Sequence, residues 1–531
     1  MRVAILIQAL CTVLPRLALA YDDPLVSLDY GVFQGNYDST YNISHFRKIP
    51  FAAPAIGENR FRAPQPPVPI TDGVYDSDQD FDMCPQRTVN GSEDCHYLGL
   101  YSRPWVDPEA KRPVLVVFYG GAFIQGSASF TIPPPGYPVL NVTDLNDYVV
   151  VYPNYRINAF GFLPGKAVRE SPTSDLNPGL LDQQYALQWV QKYIHKFGGD
   201  PKNVTIWGQS AGGGSVVAQV IANGGRTKPR LFNRALASSP FWPKTYEYDS
   251  PEAEDIYSQL VNLTGCGDSS DTDSLACLKS VDVQTIRDAS LVISESHQWT
   301  SSSYTWAPVI DGDFLRGPLS HVTSQDNADQ VFSMYNTQEG KNFIPPGLAA
   351  EEADEGYIEF DDWLGGILPE LSARQIETVK NYYSPIDSSE MIPSYNTSFD
   401  RAQLIYRDVV LACPAYWLSM SAKGAGYLGE YSISPAEHAS DTIYWNEVDD
   451  IQKSDSLIYK GFAGAFGSFF QTGDPNAHKL TDDSQPGVPE LGSGGEQREF
   501  VITAEGFENI ELKQLRERCD FWRRVGGDIP I

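Results

Sequence analysis

The segment Val204–Gly214, "VTIWGQSAGGG", restricts the possible folds of this chain more than any other. A β-branched, apolar run leads directly into one serine, Ser210, set among small residues, and "SVVAQVIANGG" continues with helical spacing. Gly208-Gln209-Ser210-Ala211-Gly212 has the form G-x-S-x-G, in which serine stands on a strained turn between a strand and a helix. Glycines tolerate such a turn and let neighbouring backbone come close. The helix that follows brings N–H groups and the positive end of its dipole towards the hydroxyl.

The surroundings extend this pattern. "PVLVVFYGG" and "DYVVVYPNYR" read as strands, and "LLDQQYALQWVQKYIHKFGG" as a helix stopped by Gly198-Gly199. Strand, helix, strand, turn and helix in succession imply an α/β chain: a large, mostly parallel sheet with helices on its faces. The segment from about 245 to 330 reads as polar and irregular. Further helices are expected near 371–382, 401–420 and 457–471, and in the tail Leu512, Leu515, Cys519 and Phe521/Trp522 fall near one face. No repeat or interdomain linker is evident, so residues 21–531 are expected to form one domain.

A serine hydroxyl needs a base, a group that orients the base, and donors for the charge that develops. The donors are expected after an earlier strand, and "VVFYGGAFIQGS" supplies backbone N–H groups at Gly121 and Ala122 to join that of Ala211. Four histidines follow Ser210: His297, His321, His438 and His478. Glu339, beside a glycine in "MYNTQEGKNF", is the acid candidate, which leaves His438 in "SPAEHASDTIYW" and His478 in "TGDPNAHKL" as bases. Spacing inclines towards His438 without excluding His478.

The first twenty residues read as a secretory leader: Arg2, the apolar run Val3–Leu14, and the cleavage pattern Ala18-Leu19-Ala20. The run is broken at Pro15-Arg16 and is short for a bilayer span, so an extracellular protein without a membrane span is expected. With 42% apolar and 20% charged residues the composition is that of a globular chain, and a net charge of −29 disfavours nucleic-acid and anionic-membrane partners. Cys11 departs with the leader and six cysteines remain, for which three disulfides are the expectation in an exported chain. Six cysteines allow fifteen pairings. Cys84 with Cys95 and Cys266 with Cys277 suggest themselves by proximity, leaving Cys413 with Cys519. No C-x-x-C motif or histidine cluster accompanies them, so no metal is expected, and a serine nucleophile with its own base requires no organic cofactor. Glycosylation sequons begin at Asn42, Asn90, Asn141, Asn203, Asn262 and Asn396; Asn203, just before the strand that leads to Ser210, is the weakest of them.

"SEDCHYLGLYS", "YGGAF", "NYRINAFGFL", "GLLDQQYALQWVQKYIHKFGGDPKNVTIWGQSAGG", "APVIDGDFL" and "CDFWRR" together resemble the type-B carboxylesterase family, which includes cholinesterases and secreted microbial lipases. The resemblance runs from about Val26 to the C-terminal helix. It implies an α/β-hydrolase fold with helical insertions in the second half, Ser210 as nucleophile, Glu339 as acid and His438 as base. It implies Gly121, Ala122 and Ala211 as oxyanion donors, Ser239 and Asp441 as supports of the histidine, and a Cys413–Cys519 bridge like that of cholinesterases. Three departures narrow the substrate: Gln209 stands where the family usually has glutamate, Ala122 replaces a third glycine, and only ten residues separate Cys84 from Cys95. In cholinesterases the longer loop carries a tryptophan that binds choline, and in family lipases it forms the lid. This loop has no tryptophan, so neither a cation site nor a mobile lid is expected. Phe241 and Trp242 are candidates to wall an acyl pocket, or plain core.

The expected activity is therefore hydrolysis of small-molecule carboxylic esters by a secreted serine esterase. The alternatives are a non-catalytic binding or adhesion relative, a lipase, and a lactone hydrolase or acyl transferase using the same triad. Oligomeric state is left open.

Overall fold

The computed structural model describes residues 23–105, 110–267, 271–295, 305–384, 390–392, 395–492, 496–527 and 529–531. The expected leader at 1–20 and His297 lie outside the described residues.

Eleven strands pair into one sheet. Its middle is a parallel run in the order Val149–Pro153, Arg112–Phe118, Gly199–Gln209, Arg234–Ser238, Gln330–Asn336, Gly426–Tyr431 and Arg498–Thr503. Gly506–Glu511 closes one edge antiparallel, and Tyr97–Ser102, Ile43–Pro50 and Asn36–Asp38 extend the other antiparallel. Leu25–Leu28, Gly31–Gln34 and Tyr75–Asp76 make a separate small sheet.

Alternation along the strands divides the core. Val114, Val116, Val149, Val151, Val204 and Ile206 enter one buried cluster; Leu115, Val117, Val150, Tyr152 and Trp207 enter another on the opposite face. Helices Pro178–Tyr193 and Ala211–Gly225 pack on the first through Leu187, Val190, Val216 and Val220. Helix Ser456–Thr472 packs on the second through Phe462, Phe466, Phe469 and Phe470. With both faces covered, these strands need apolar residues at every position, which is why the sequence shows unbroken runs.

Helix Pro178–Tyr193 runs into a 3-10 turn, Ile194–Phe197, and stops at Gly198, whose φ of 76° only glycine adopts without strain. The segment after 245 corrects the reading of irregular structure: it holds helices Pro251–Leu263, Asp271–Ser280 and Val283–Glu295. The first begins at Ser250, whose side chain accepts from Ala253 N–H, and buries Ala253, Ile256, Tyr257 and Leu260 at helical spacing. Between strands Gln330–Asn336 and Gly426–Tyr431 lie helices Phe360–Ile367, Ala373–Tyr382, Ser398–Arg407 and Cys413–Met420, the insertions of the second half. Among the described residues three disulfides form: Cys84–Cys95, Cys266–Cys277 and Cys413–Cys519. Of the six sequon asparagines only Asn203 is not exposed; it lies within a strand, and its amide oxygen accepts from Arg234.

Candidate active site

Ser210 caps the strand Gly199–Gln209 with φ 60° and ψ −127°, outside the helical region, and the helix begins at Ala211. Its backbone is fully engaged: N–H donates to the Ser238 carbonyl at 3.0 Å, and its own carbonyl accepts from Gly214 at 2.9 Å and Phe241 at 3.0 Å. The flanking glycines are needed for closeness. A Cβ on Gly208 would stand 2.3 Å from Gly212 backbone, and one on Gly212 would stand 2.1 Å from the Phe118 carbonyl oxygen. The sharp turn therefore packs against the end of the neighbouring strand.

His438 reaches this hydroxyl from a loop beyond strand Gly426–Tyr431. Its Nε2 is 2.8 Å from Ser210 Oγ, and its Nδ1 is 2.7 Å from Glu339 Oε2. Glu339 is fully buried at the end of strand Gln330–Asn336, where its other oxygen accepts from Asn336 N–H. A buried carboxylate is costly unless paired, and here both oxygens have partners. The His438 backbone N–H donates to the Asn342 side-chain oxygen at 2.8 Å, and the ring meets the edge-on ring of Phe343 with centroids 5.0 Å apart. Of the two histidines that spacing left open, His438 lies against Ser210, whereas the backbone N–H of His478 donates to Ser468 Oγ.

The expected donor loop lies against the serine: a Cβ on Gly120 would be 3.1 Å from Ser210 Cβ. Gly121, Ala122 and Phe123 all have positive φ, at 113°, 55° and 60°. Among the described residues the N–H groups of Gly121 and Ala122 have no protein acceptor.

The supporting residues fall at different distances from the ring. Gln209 Nε2 is 3.5 Å from His438 Nε2. Asp441 accepts from Asn336 Nδ2 at 3.2 Å and Trp445 Nε1 at 2.9 Å, so its bonds go to the loop behind Glu339 and not to the imidazole. Burial pushes the Asp441 carboxyl above the usual aspartate range. Ser239 anchors by its N–H to Met334 O at 2.7 Å, and its buried hydroxyl has no hydrogen-bond partner among the described residues. Phe241 and Trp242 are core residues; Phe241 stacks on Phe343, the ring that abuts His438. Asn336, Asn342 and Phe343 were not expected from sequence, because a loop asparagine or phenylalanine carries no signal of its partner.

Gly120 and Gln209 also border a cavity of about 260 Å³, walled by Tyr119, Phe130, Tyr152, Trp207 and Trp445. No charged side chain is among its described lining residues.

A mostly parallel sheet with helices on both faces, carrying serine, acid and histidine in that chain order at the ends of its strands, defines an α/β-hydrolase. The carboxylesterase family model matches residues 22–522, and the chain belongs to that family; it is a carboxylic ester hydrolase. It is 27% identical over 568 residues to Carboxylesterase patB of Aspergillus clavatus, covering 94% of this chain and 96% of that one. It is 30% identical over 513 residues to Secreted lipase 4 of Gibberella zeae, covering 90% of this chain and 87% of that one. The crystal structure of Aspergillus niger EstA superposes with a TM-score of 0.81 at 26% identity, covering 96% of this chain and 99% of that one. No helix among the described residues is long and apolar enough to cross a membrane.

Proposed function

We propose that this chain is a secreted, single-domain serine carboxylesterase that works through an acyl-enzyme on Ser210. The observation that carries this reading is the unbroken hydrogen-bond chain from Ser210 through His438 to Glu339. His438 takes the serine proton as Oγ attacks the ester carbonyl. The N–H groups of Gly121, Ala122 and Ala211 stabilise the oxyanion. The protonated imidazole then gives its proton to the departing alcohol, and water repeats the sequence on the acyl-enzyme. Glu339 keeps the proton on Nδ1 and offsets the charge that the ring acquires.

The substrate is an uncharged ester. The cavity beside Gln209 has aromatic walls and no charged lining group among the described residues, and Gln209 itself is neutral. Such a wall favours apolar or ring-bearing groups; a quaternary cation would meet ring faces there but no carboxylate. The short Cys84–Cys95 loop is buried at both cysteines, which disfavours a lid that opens at an oil surface. Secretion is supported by the three disulfides and by likeness to a relative named a secreted lipase.

A panel of chromogenic esters varied in acyl length and in aromatic or charged alcohol tests the reading, with fluorophosphonate labelling to locate the nucleophile. Expected are turnover of neutral esters, weak turnover of choline esters, and a label on the Ser210 peptide. A label elsewhere, or a rate jump at the substrate's solubility limit, would overturn it.

A further inference from the structure

The turn that presents the oxyanion donors is held in an unfavourable conformation. Within Gly121–Gly126, positive φ occurs at Gly121, Ala122, Phe123 and Gly126, and two of these carry side chains. Non-glycine residues in that region are strained and persist only where surroundings hold them. The turn's own bonds, Ile124 and Gln125 N–H to the Gly121 carbonyl, close it at one end only.

At the other end stands Gln86, 1% exposed, from the loop closed by Cys84 and Cys95. Its carboxamide pairs with both backbone groups of Gly126: Nε2 donates to the carbonyl at 2.8 Å, and Oε1 accepts the N–H at 2.9 Å. The second amide hydrogen goes to Cys84 O at 3.1 Å, and Oε1 also accepts from Thr88 Oγ1 at 3.0 Å. All four hydrogen-bonding capacities of the amide are used, which fixes its orientation. Gly126 in turn packs on the peptide group that carries the Gly121 N–H, since a Cβ there would stand 2.4 Å from the Gly120 carbonyl oxygen. Asn158 ties the same two segments, donating from N–H to Phe123 O and from Nδ2 to Pro85 O at 2.8 Å. Arg287 fastens the loop from outside by donating to Gln86 O at 2.7 Å.

We propose that Gln86 is a positioning residue for the oxyanion donors, and that the Cys84–Cys95 loop serves as a static brace on their turn. The proposal rests on the esterase reading above. Gln86 touches no substrate; it acts by holding Gly126, and through it the N–H groups of Gly121 and Ala122, where the tetrahedral oxygen forms. Displaced donors weaken transition-state binding while leaving ground-state binding largely alone.

The test compares wild type with Gln86→Leu, which keeps size and loses both amide functions, and with Thr88→Val at an exposed position, which removes one of the four bonds. kcat and KM are measured per active site titrated with a fluorophosphonate, together with affinity for a trifluoromethyl ketone that mimics the tetrahedral adduct. Expected for Gln86→Leu is a kcat lower by about ten- to a hundredfold, below the loss of a whole donor, with KM changed by less than about threefold. Affinity for the ketone should fall by the same factor as kcat/KM, and Thr88→Val should show a smaller loss of the same kind. Overturning results are kcat per titrated site unchanged in the variants, or a higher KM with kcat and ketone affinity intact. If Gln86→Leu does not fold, Thr88→Val decides by the same criteria. A wild-type protein that neither hydrolyses esters nor takes the label would instead end the esterase reading, and this proposal with it.

Discussion

His438 Nε2 and Ser210 Oγ stand 2.8 Å apart across 228 residues of chain. The contact depends on two parallel strands ending at the same edge of the sheet, one carrying the serine turn and the other releasing the histidine loop. Removing the hydroxyl should remove turnover: Ser210→Ala should lower kcat by about a million-fold on a neutral ester, with circular dichroism unchanged. Near wild-type hydrolysis by that variant would be incompatible with an acyl-enzyme on Ser210.

Glu339→Gln keeps the shape of the acid but presents an amide to His438 Nδ1 and to Asn336 N–H. The imidazole then loses its orienting acceptor, and kcat should fall by about ten-thousandfold while KM changes little. Stopped-flow measurement of the acylation burst checks this. An undiminished burst would assign the acid elsewhere.

The glycines of the elbow should differ sharply from glycines in open space. Gly212→Ala would place its Cβ 2.1 Å from the Phe118 carbonyl oxygen, so a loss of several kcal/mol, or no soluble protein, is expected. Gly365, exposed within helix Phe360–Ile367, has nothing within 4 Å of such a Cβ. Gly365→Ala should stabilise by about 0.5–1 kcal/mol through helix propensity. Thermal unfolding of the pair tests the geometry, which fails if both variants melt alike.

Stability should depend on pH through a buried pair beside the acid loop. Tyr335 Oη lies 3.2 Å from Glu430 Oε2 and 2.8 Å from Glu499 Oε2, while Thr337 Oγ1 donates to Glu430 at 2.6 Å. One phenol proton cannot serve both carboxyls, so one of them must be the donor and carry its own proton. Burial raises both groups above the usual glutamate range; Arg407 opposes the shift of Glu430, and the neighbouring Glu430 charge adds to that of Glu499. The folded state thus holds a proton that the unfolded chain releases in the ordinary carboxylate range. This stabilisation is complete below that range and is lost as pH rises through the raised folded values. Glu499→Gln supplies an amide donor that does not titrate, so its Tm should gain on wild type between about pH 5 and pH 8. A Tm difference independent of pH over that span would show that the pair does not share a proton.

The Cys413–Cys519 bridge spans 106 residues and both sulfurs are buried, whereas Cys266–Cys277 spans 11. Chain entropy assigns the longer closure roughly 4–5 kcal/mol and the shorter one about 3. Urea unfolding of Cys413→Ala/Cys519→Ala should show the larger loss. A larger loss from Cys266→Ala/Cys277→Ala would contradict the entropic ordering.

Strands that will be covered on both faces announce themselves as apolar runs, and "VTIWGQS" and "VLVVF" were legible for that reason. The helices after 245 were not, because their buried faces alternate with charged residues such as Glu252, Glu254 and Asp255 in a segment that reads as surface. Gln86 and Asn342 were invisible for a different cause. A polar loop residue has the same local signature whether it meets solvent or a specific amide far along the chain.

The linear order alone determined the elements whose causes are local: a strand, a glycine-bounded turn at Ser210, a helix after it, and the supply of Glu339 and two candidate histidines. Local spacing left two imidazoles open and the family resemblance implied His438, but only the folded chain brings that ring to the serine. Hydrogen bonds act over about 3 Å, and proximity across hundreds of residues is set by the register and order of the sheet. No residue pattern along the chain records that order by itself.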